Sequence, residues 1–279
     1  MEADATLSRA LGHADDGDWS GAAEVLRESV ADGEPSAEIL CWLGVAEREL
    51  GMEGVAYERF KQALALDPRD PVILATAGTA LAGFDDPDAE SALRAAAMLG
   101  REVPFARWSY GAYLTREGMM DEARVELDAA LELAPDDPTA LYESGVWHLT
   151  SGDLDRGITI MYRAAEADRD DGWSRVVLGL ALLAAGRIDE ALPELDRGSR
   201  IRDGDAEAQV ITALVCAAEG YEDGAWEMLE RGRLAAEGTD ALTVNEAEDR
   251  MNESPEAALE LLRTTLVPSA LRERLAARP

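Results

Sequence analysis

A pattern of small and large residues returns along this chain at a nearly fixed step. Gly111, Gly145, Gly179 and Ala213 stand 34 residues apart. Each is followed seven residues on by a second glycine: Gly118, Gly152, Gly186 and Gly220. Five further on comes Ala123, Gly157, Ala191 or Ala225, and four beyond that Leu127, Met161, Leu195 or Leu229. The same offsets run through Gly44, Gly51, Ala56 and Phe60, and through Ala10, Gly17, Ala22 and Leu26. Another copy, Gly78, Ala89, Leu93 and Ala96, is one residue short at Phe84-Asp85-Asp86-Pro87. A period of this size marks a stacked array, because one unit cannot bury its apolar face alone.

The offsets describe two helices with a turn between them, so the fold class is all-α. The second glycine falls where the first helix ends and a left-handed residue is needed. Asp121-Glu122 and Asp189-Glu190 then open the second helix at its positive end. Gly44 and Ala56 are small where two helices cross, and Phe60, Leu127 and Leu195 are expected to fill the space between successive units. Asp67-Pro68 and Ala134-Pro135 end second helices. The spacing gives seven units, over 3–35, 36–69, 70–102, 103–136, 137–170, 171–204 and 205–238. Beyond Gly238 the pattern decays. Residues 239–267 read as a degenerate eighth pair and 268–279 as a C-terminal capping helix opened by Ser269. Arg272, Arg274 and Arg278 are expected on its exposed face, since the ends of such arrays need polar covers.

These recurring positions resemble the tetratricopeptide repeat family over residues 3 to 238. The resemblance implies a right-handed α-α superhelical solenoid. Few units carry the family's aromatic residue in the first helix, several lack the closing proline, and Pro193 sits inside a second helix.

Composition narrows the functions such an array could serve. Among 279 residues there are 57 acids and 26 bases, a formal net charge of −31. That argues against binding nucleic acid, which needs cations to displace counterions from phosphate, and against anionic lipid surfaces. The apolar fraction of 47% is too high for a disordered acidic chain. The longest apolar run, Val176 to Gly186, is too short for the ~20 residues of a membrane span and reads as a buried helix. The N-terminus lacks the basic start and apolar core of a secretory signal, so a cytoplasmic location is expected. Lysine occurs once, as Lys61, beside 25 arginines. Residues 1–140 carry 29 acids against 11 bases, and the rest 28 against 15. An even spread suits a solvated outer surface, in the manner of proteins from salty cytoplasm, better than a focused docking patch.

No residue set supplies catalysis, so the chain is not expected to be an enzyme and no cofactor or metal is expected. Asp16-x-Asp18-x-Ser20-Gly21 imitates the front of a calcium loop, but the closing position is Arg27. The triplet lies instead on the first inter-helix turn. His13 and His148 occupy equivalent places in their units, which points to packing. Cys41 and Cys216 stand about five units apart, beyond disulfide reach, as reduced thiols.

In the family resembled, the first helix of each repeat lines a concave groove where ligands bind. Mapped here, that groove offers Phe105, Trp108 and Arg116, then Tyr142, Val146 and Leu149, then Trp173, Val176, Leu180 and Leu183. The family's Lys/Asn/Arg clamp for a terminal carboxylate is missing: Lys61 is on a second helix, and Asn245 and Asn252 lie in the decayed tail. An apolar groove with aromatic residues favours an apolar or amphipathic protein segment. The expected function is thus a non-catalytic protein–protein interaction scaffold or adaptor. Two alternatives are a homo-oligomeric assembly unit that uses the groove for self-association, and a regulatory or chaperone subunit of an enzyme or secretion complex.

Overall fold

A computed structural model describes residues 2–33 and 35–277; Arg278 therefore lies outside the described residues. Every regular element among them is helical. The chain divides into two compact units, the first ending at Ala134 and the second beginning at Pro135.

The first unit contains α1 (Glu2–Asp15), α2 (Trp19–Asp32), α3 (Ala37–Glu49), α4 (Glu53–Ala65), α5 (Pro71–Ala82), α6 (Asp88–Leu99), α7 (Pro104–Arg116) and α8 (Met120–Leu133). The second contains α9 (Pro138–Thr150), α10 (Leu154–Ala167), α11 (Gly172–Ala184), α12 (Ile188–Ile201), α13 (Ala206–Ala218) and α14 (Glu222–Ala235). These are followed by α15 (Asp240–Glu253), α16 (Pro255–Leu261), a π-helical turn (Leu262–Leu266) and α17 (Val267–Ala276). Up to α14, each odd-numbered helix packs most closely against the even-numbered helix that follows it.

The turns repeat one device. Gly17, Gly51, Gly118, Gly152, Gly186 and Gly220 all have φ between +73° and +83°. The next residue donates its N–H back five positions: Met52 to the Glu47 carbonyl at 2.9 Å, Arg187 to Leu182 at 2.9 Å, Tyr221 to Cys216 at 2.8 Å. This is the six-to-one bond of a glycine-ended helix. In the short unit Asp85 takes the left-handed place, at φ 52°, and Asp86 donates to Leu81. Aspartate then starts many helices: Asp70, Asp137, Asp171 and Asp205 each accept a backbone N–H from the first turn of α5, α9, α11 and α13. Asp18 and Asp153 do the same for α2 and α10, which accounts for the calcium-like spacing.

The large residue of the second helix lies over the small residue of its own pair in five pairs, and Phe60 also shares a buried cluster with Ile73, Ala77 and Leu81 of the next pair, as the spacing suggested. A Cβ on Gly44 would lie 2.9 Å from the Phe60 ring. On Gly111 it would lie 2.7 Å from Leu127, on Gly145 2.9 Å from Met161, and on Gly179 2.5 Å from Leu195. Close packing of this kind leaves no room for even a methyl group.

Arginine contacts tie helix pairs to their neighbours. Arg175 is wholly buried; it donates to Glu194 at 2.8 Å, to the Ala165 carbonyl at 2.7 Å and to the Arg169 carbonyl at 3.4 Å. It thereby satisfies the open carbonyl end of α10. In the first unit, Arg107 bonds Glu126 at 2.6 Å and the Arg101 carbonyl at 3.4 Å in the same way. Buried Glu47 accepts from Arg27 on α2 at 2.9 Å and from Arg59 on α4 at 3.3 Å.

The end of the chain departs from the expected polar cover. α17 begins at Val267 without a side-chain cap, and Ser269 donates instead to Glu273 at 2.9 Å. Leu261, Leu262, Val267 and Ala270 form a buried stripe. α15, α16 and the π-helical turn pack on α13, while α17 turns back onto α11 and touches α9. Arg274, expected on the exposed face, is buried; Arg272 is exposed.

Candidate functional site

α9, α11 and α13 are the first helices of successive pairs, and their shared face in the second unit carries most of the residues expected to line a groove. The structure places them differently from one another. Val146, Val176 and Leu180 have no exposed surface, and Tyr142, Leu149 and Leu183 are buried as well. Val176 lies against Gly198 of α12, and Leu149 against Gly157 of α10. None of these six side chains is open surface with α17 seated on α9 and α11. The repeat offset gives each position its helix but not its depth of burial.

Trp173 remains half-buried at the start of α11. Its indole N–H donates to the Tyr142 hydroxyl at 2.7 Å. The guanidinium of Arg202 lies 4.9 Å from the Trp173 ring and that of Arg274 lies 5.0 Å from it. Such cation–aromatic contacts gain strength where water is excluded.

Arg274 reaches from α17 to the opening of α13. Its Nη atoms donate to both Asp205 oxygens, at 2.8 and 2.9 Å, and to Glu207 at 3.0 Å. The two-pronged contact with Asp205 is the strong form of an arginine–carboxylate pair. Asp205 also caps α13 and accepts from Arg202 at 3.2 Å. Burial pushes the Asp205 carboxyl upward, but the bonds from Arg274, Ala208 and Arg202 outweigh it and leave it below the usual aspartate value. Burial holds Glu207 above the usual glutamate value, only partly countered by Arg274. A cleft of about 680 Å³ opens beside the arginine, bounded by Trp173, Arg202, Asp205, Glu207, Asp240 and Glu273.

Sequence reasoning missed Asp205, Glu207, Arg202 and Arg274. One signal was legible: Arg274 continues the stripe of Val267 and Ala270 at helical spacing, so a cation occupies an apolar seam.

In the first unit, Phe105 and Trp108 stand half-buried on α7 with ring centroids 5.0 Å apart, edge to face. Arg116, at the end of α7, donates to the Ala112 carbonyl of its own helix at 3.2 Å. No segment corresponding to α17 packs on α5 and α7 among the described residues of this unit.

Burial pushes the Cys41 thiol up to about 12 and the Cys216 thiol to about 11, the reverse of an activated nucleophile. Both cysteines are free. His13 pairs with Asp18 at 2.8 Å, and His148 faces Asp153 at 3.7 Å, so each histidine stands by the aspartate that caps the next helix. Among the described residues no group of His, Cys, Asp and Glu is placed to hold a metal, and no helix is long and apolar enough to cross a membrane.

No curated protein matches the sequence. Solved structures match the fold. One chain of the APC/C hetero-tetramer Cut9–Hcn1 aligns with a TM-score of 0.70 at 19% identity, covering 85% of this chain. This chain spans only 48% of that protein, about half its length. A tetratricopeptide repeat protein from Parabacteroides merdae gives 0.63 at 15% identity, covering 88% of this chain and 98% of its own. PilF of Pseudomonas aeruginosa gives 0.57 at 20% identity, covering 71% and 91%. Family models described as tetratricopeptide repeat match residues 7–71 and 116–172, and residues 148–214. Those spans take in more than half of the sequence and coincide with the helix pairs described above, so the chain belongs to the tetratricopeptide repeat family.

Proposed function

We propose that this protein is a non-catalytic interaction scaffold that binds an apolar or amphipathic segment of a partner protein on the faces of its first helices. Tetratricopeptide repeats generally serve protein–protein interaction, and the reading takes residues 3–238 as seven such repeats. The observation that carries it is α17, an amphipathic helix seated on α11 and α9 of the second unit. A helix of the chain itself on that surface supports the reading. In the first unit the corresponding place is the Phe105–Trp108 pair, with Arg116 at the far end of α7. Edge-to-face aromatic residues with part of their surface exposed are typical anchors of protein interfaces.

The test is capture of partners from native lysate by the immobilised full chain, beside Trp108→Ala with an unchanged thermal midpoint. Loss of a specific, stoichiometric partner in the variant is the expected result. Undiminished capture by Trp108→Ala would remove α7 from the binding surface.

A further inference from the structure

Resting on that reading, we propose that the second unit recognises a helical segment carrying an arginine in its apolar stripe, and that α17 is a built-in ligand which such a partner helix displaces. The site is defined by what holds Arg274. Asp205 offers two carboxylate oxygens and Glu207 a third, and Trp173 presents its ring to the same guanidinium. Three acceptors and an aromatic face set for one guanidinium make a reader of arginine; a lysine ammonium could not make the planar two-pronged bond.

The attachment of the built-in ligand is small. α17 runs only from Val267 to Ala276; its buried apolar residues are Val267 and Ala270, with Leu271 and Leu275 half-buried. It joins α16 through a five-residue π-helical turn, a less regular form that recurs at functional places in helices. The cleft beside Arg274 gives an incoming side chain access to Asp205 and Glu207 before α17 has left. The apolar residues Val267 and Ala270 and the arginine at 274 define the partner: small apolar side chains three apart, then an arginine four residues on.

The experiment uses the full chain and a fluorescein-labelled peptide copying residues 262–276. The peptide is expected to bind Arg274→Gln about thirtyfold or more tightly than wild type, because the internal competitor has lost its charged anchor. A peptide with glutamine at the place of Arg274 is expected to bind that variant about thirtyfold or more weakly. Equal affinity of the two peptides would overturn arginine recognition, and equal affinity for wild type and Arg274→Gln would overturn displacement. If Arg274→Gln fails to fold, hydrogen exchange of wild type decides. Exchange in residues 262–276 must rise on adding the arginine peptide and not the glutamine one. Concentration-dependent dimers of Arg274→Gln in light scattering, with no peptide uptake, would make a second copy the occupant and also overturn the proposal. Capture through Trp108 in the first unit is measured separately. Its persistence alongside a failed peptide test would refute this inference and leave the scaffold reading standing.

Discussion

Asp205 and Glu207 share one arginine yet respond to ionisation in opposite ways. Asp205 is anchored by Arg274, by Arg202 and by the backbone of α13, which hold its carboxyl below the usual aspartate value. Its contribution is fully present above the unfolded aspartate value and is lost as pH falls through the lowered folded one. Glu207 is raised by burial. Ionising it therefore costs stability as pH rises through the unfolded glutamate value toward the folded one, and that cost persists at neutral pH. Asp205→Asn should lower stability at pH 7 by about 2 kcal/mol, the scale of a hydrogen bond to a charged group, with the loss shrinking toward pH 3. Glu207→Gln should be as stable as wild type or more stable at pH 7, the difference vanishing below pH 4. Urea unfolding of both variants across this range checks the signs. A Glu207→Gln variant as damaged as Asp205→Asn would show that Arg274 needs both charges.

At the scale of helices, two kinds of glycine look alike in the sequence and differ in physical duty. Gly186 has φ +74° and no neighbouring atom within 4 Å of an added Cβ, so alanine there costs about 1–2 kcal/mol through the backbone alone. Gly179 is helical, and an added Cβ would meet Leu195 at 2.5 Å. Alanine there gains helix propensity but overpacks the pair, for a net loss of about 1–2 kcal/mol. Leu195→Ala should relieve the Gly179→Ala strain and leave that of Gly186→Ala untouched. A double-mutant cycle on thermal stability reads the difference; equal coupling at both glycines would contradict it. This distinction also marks how far the sequence was legible. Glycine ends, helix pairing and the burial of the Val176–Gly186 run followed from local rules, because capping and close packing depend on residues near in sequence. The fate of α17 did not. Arg274 and Asp205 lie 69 residues apart, and no period connects them. A terminal arginine read by composition alone is a solvated cap. Read together with Val267 and Ala270, it is a cation in an apolar seam that requires buried acids. The depth of the groove positions was hidden for a related reason: Val176 and Leu180 share α11 with Trp173 yet are fully buried where Trp173 is half-buried, and a fixed offset carries no information on depth.

For the molecule as a whole, membership of a repeat family explains why stability and binding are local properties. Each pair is supported mainly by its neighbours, so a change at one end need not reach the other. The formal charge of −31 fits this picture as the solvated exterior of helices whose facing sides are apolar. Nine of the eleven residues from Val176 to Gly186 are buried or half-buried without a single charge among the eleven. The central claim is that the second unit carries its own amphipathic ligand, held by Arg274. Hydrogen exchange along the full chain, wild type beside Arg274→Gln, tests this most directly. The account predicts that residues 262–276 are protected in wild type and exchange much faster in the variant, with α1 to α8 unchanged. Wild-type exchange of residues 262–276 at the rate of a free peptide would contradict it.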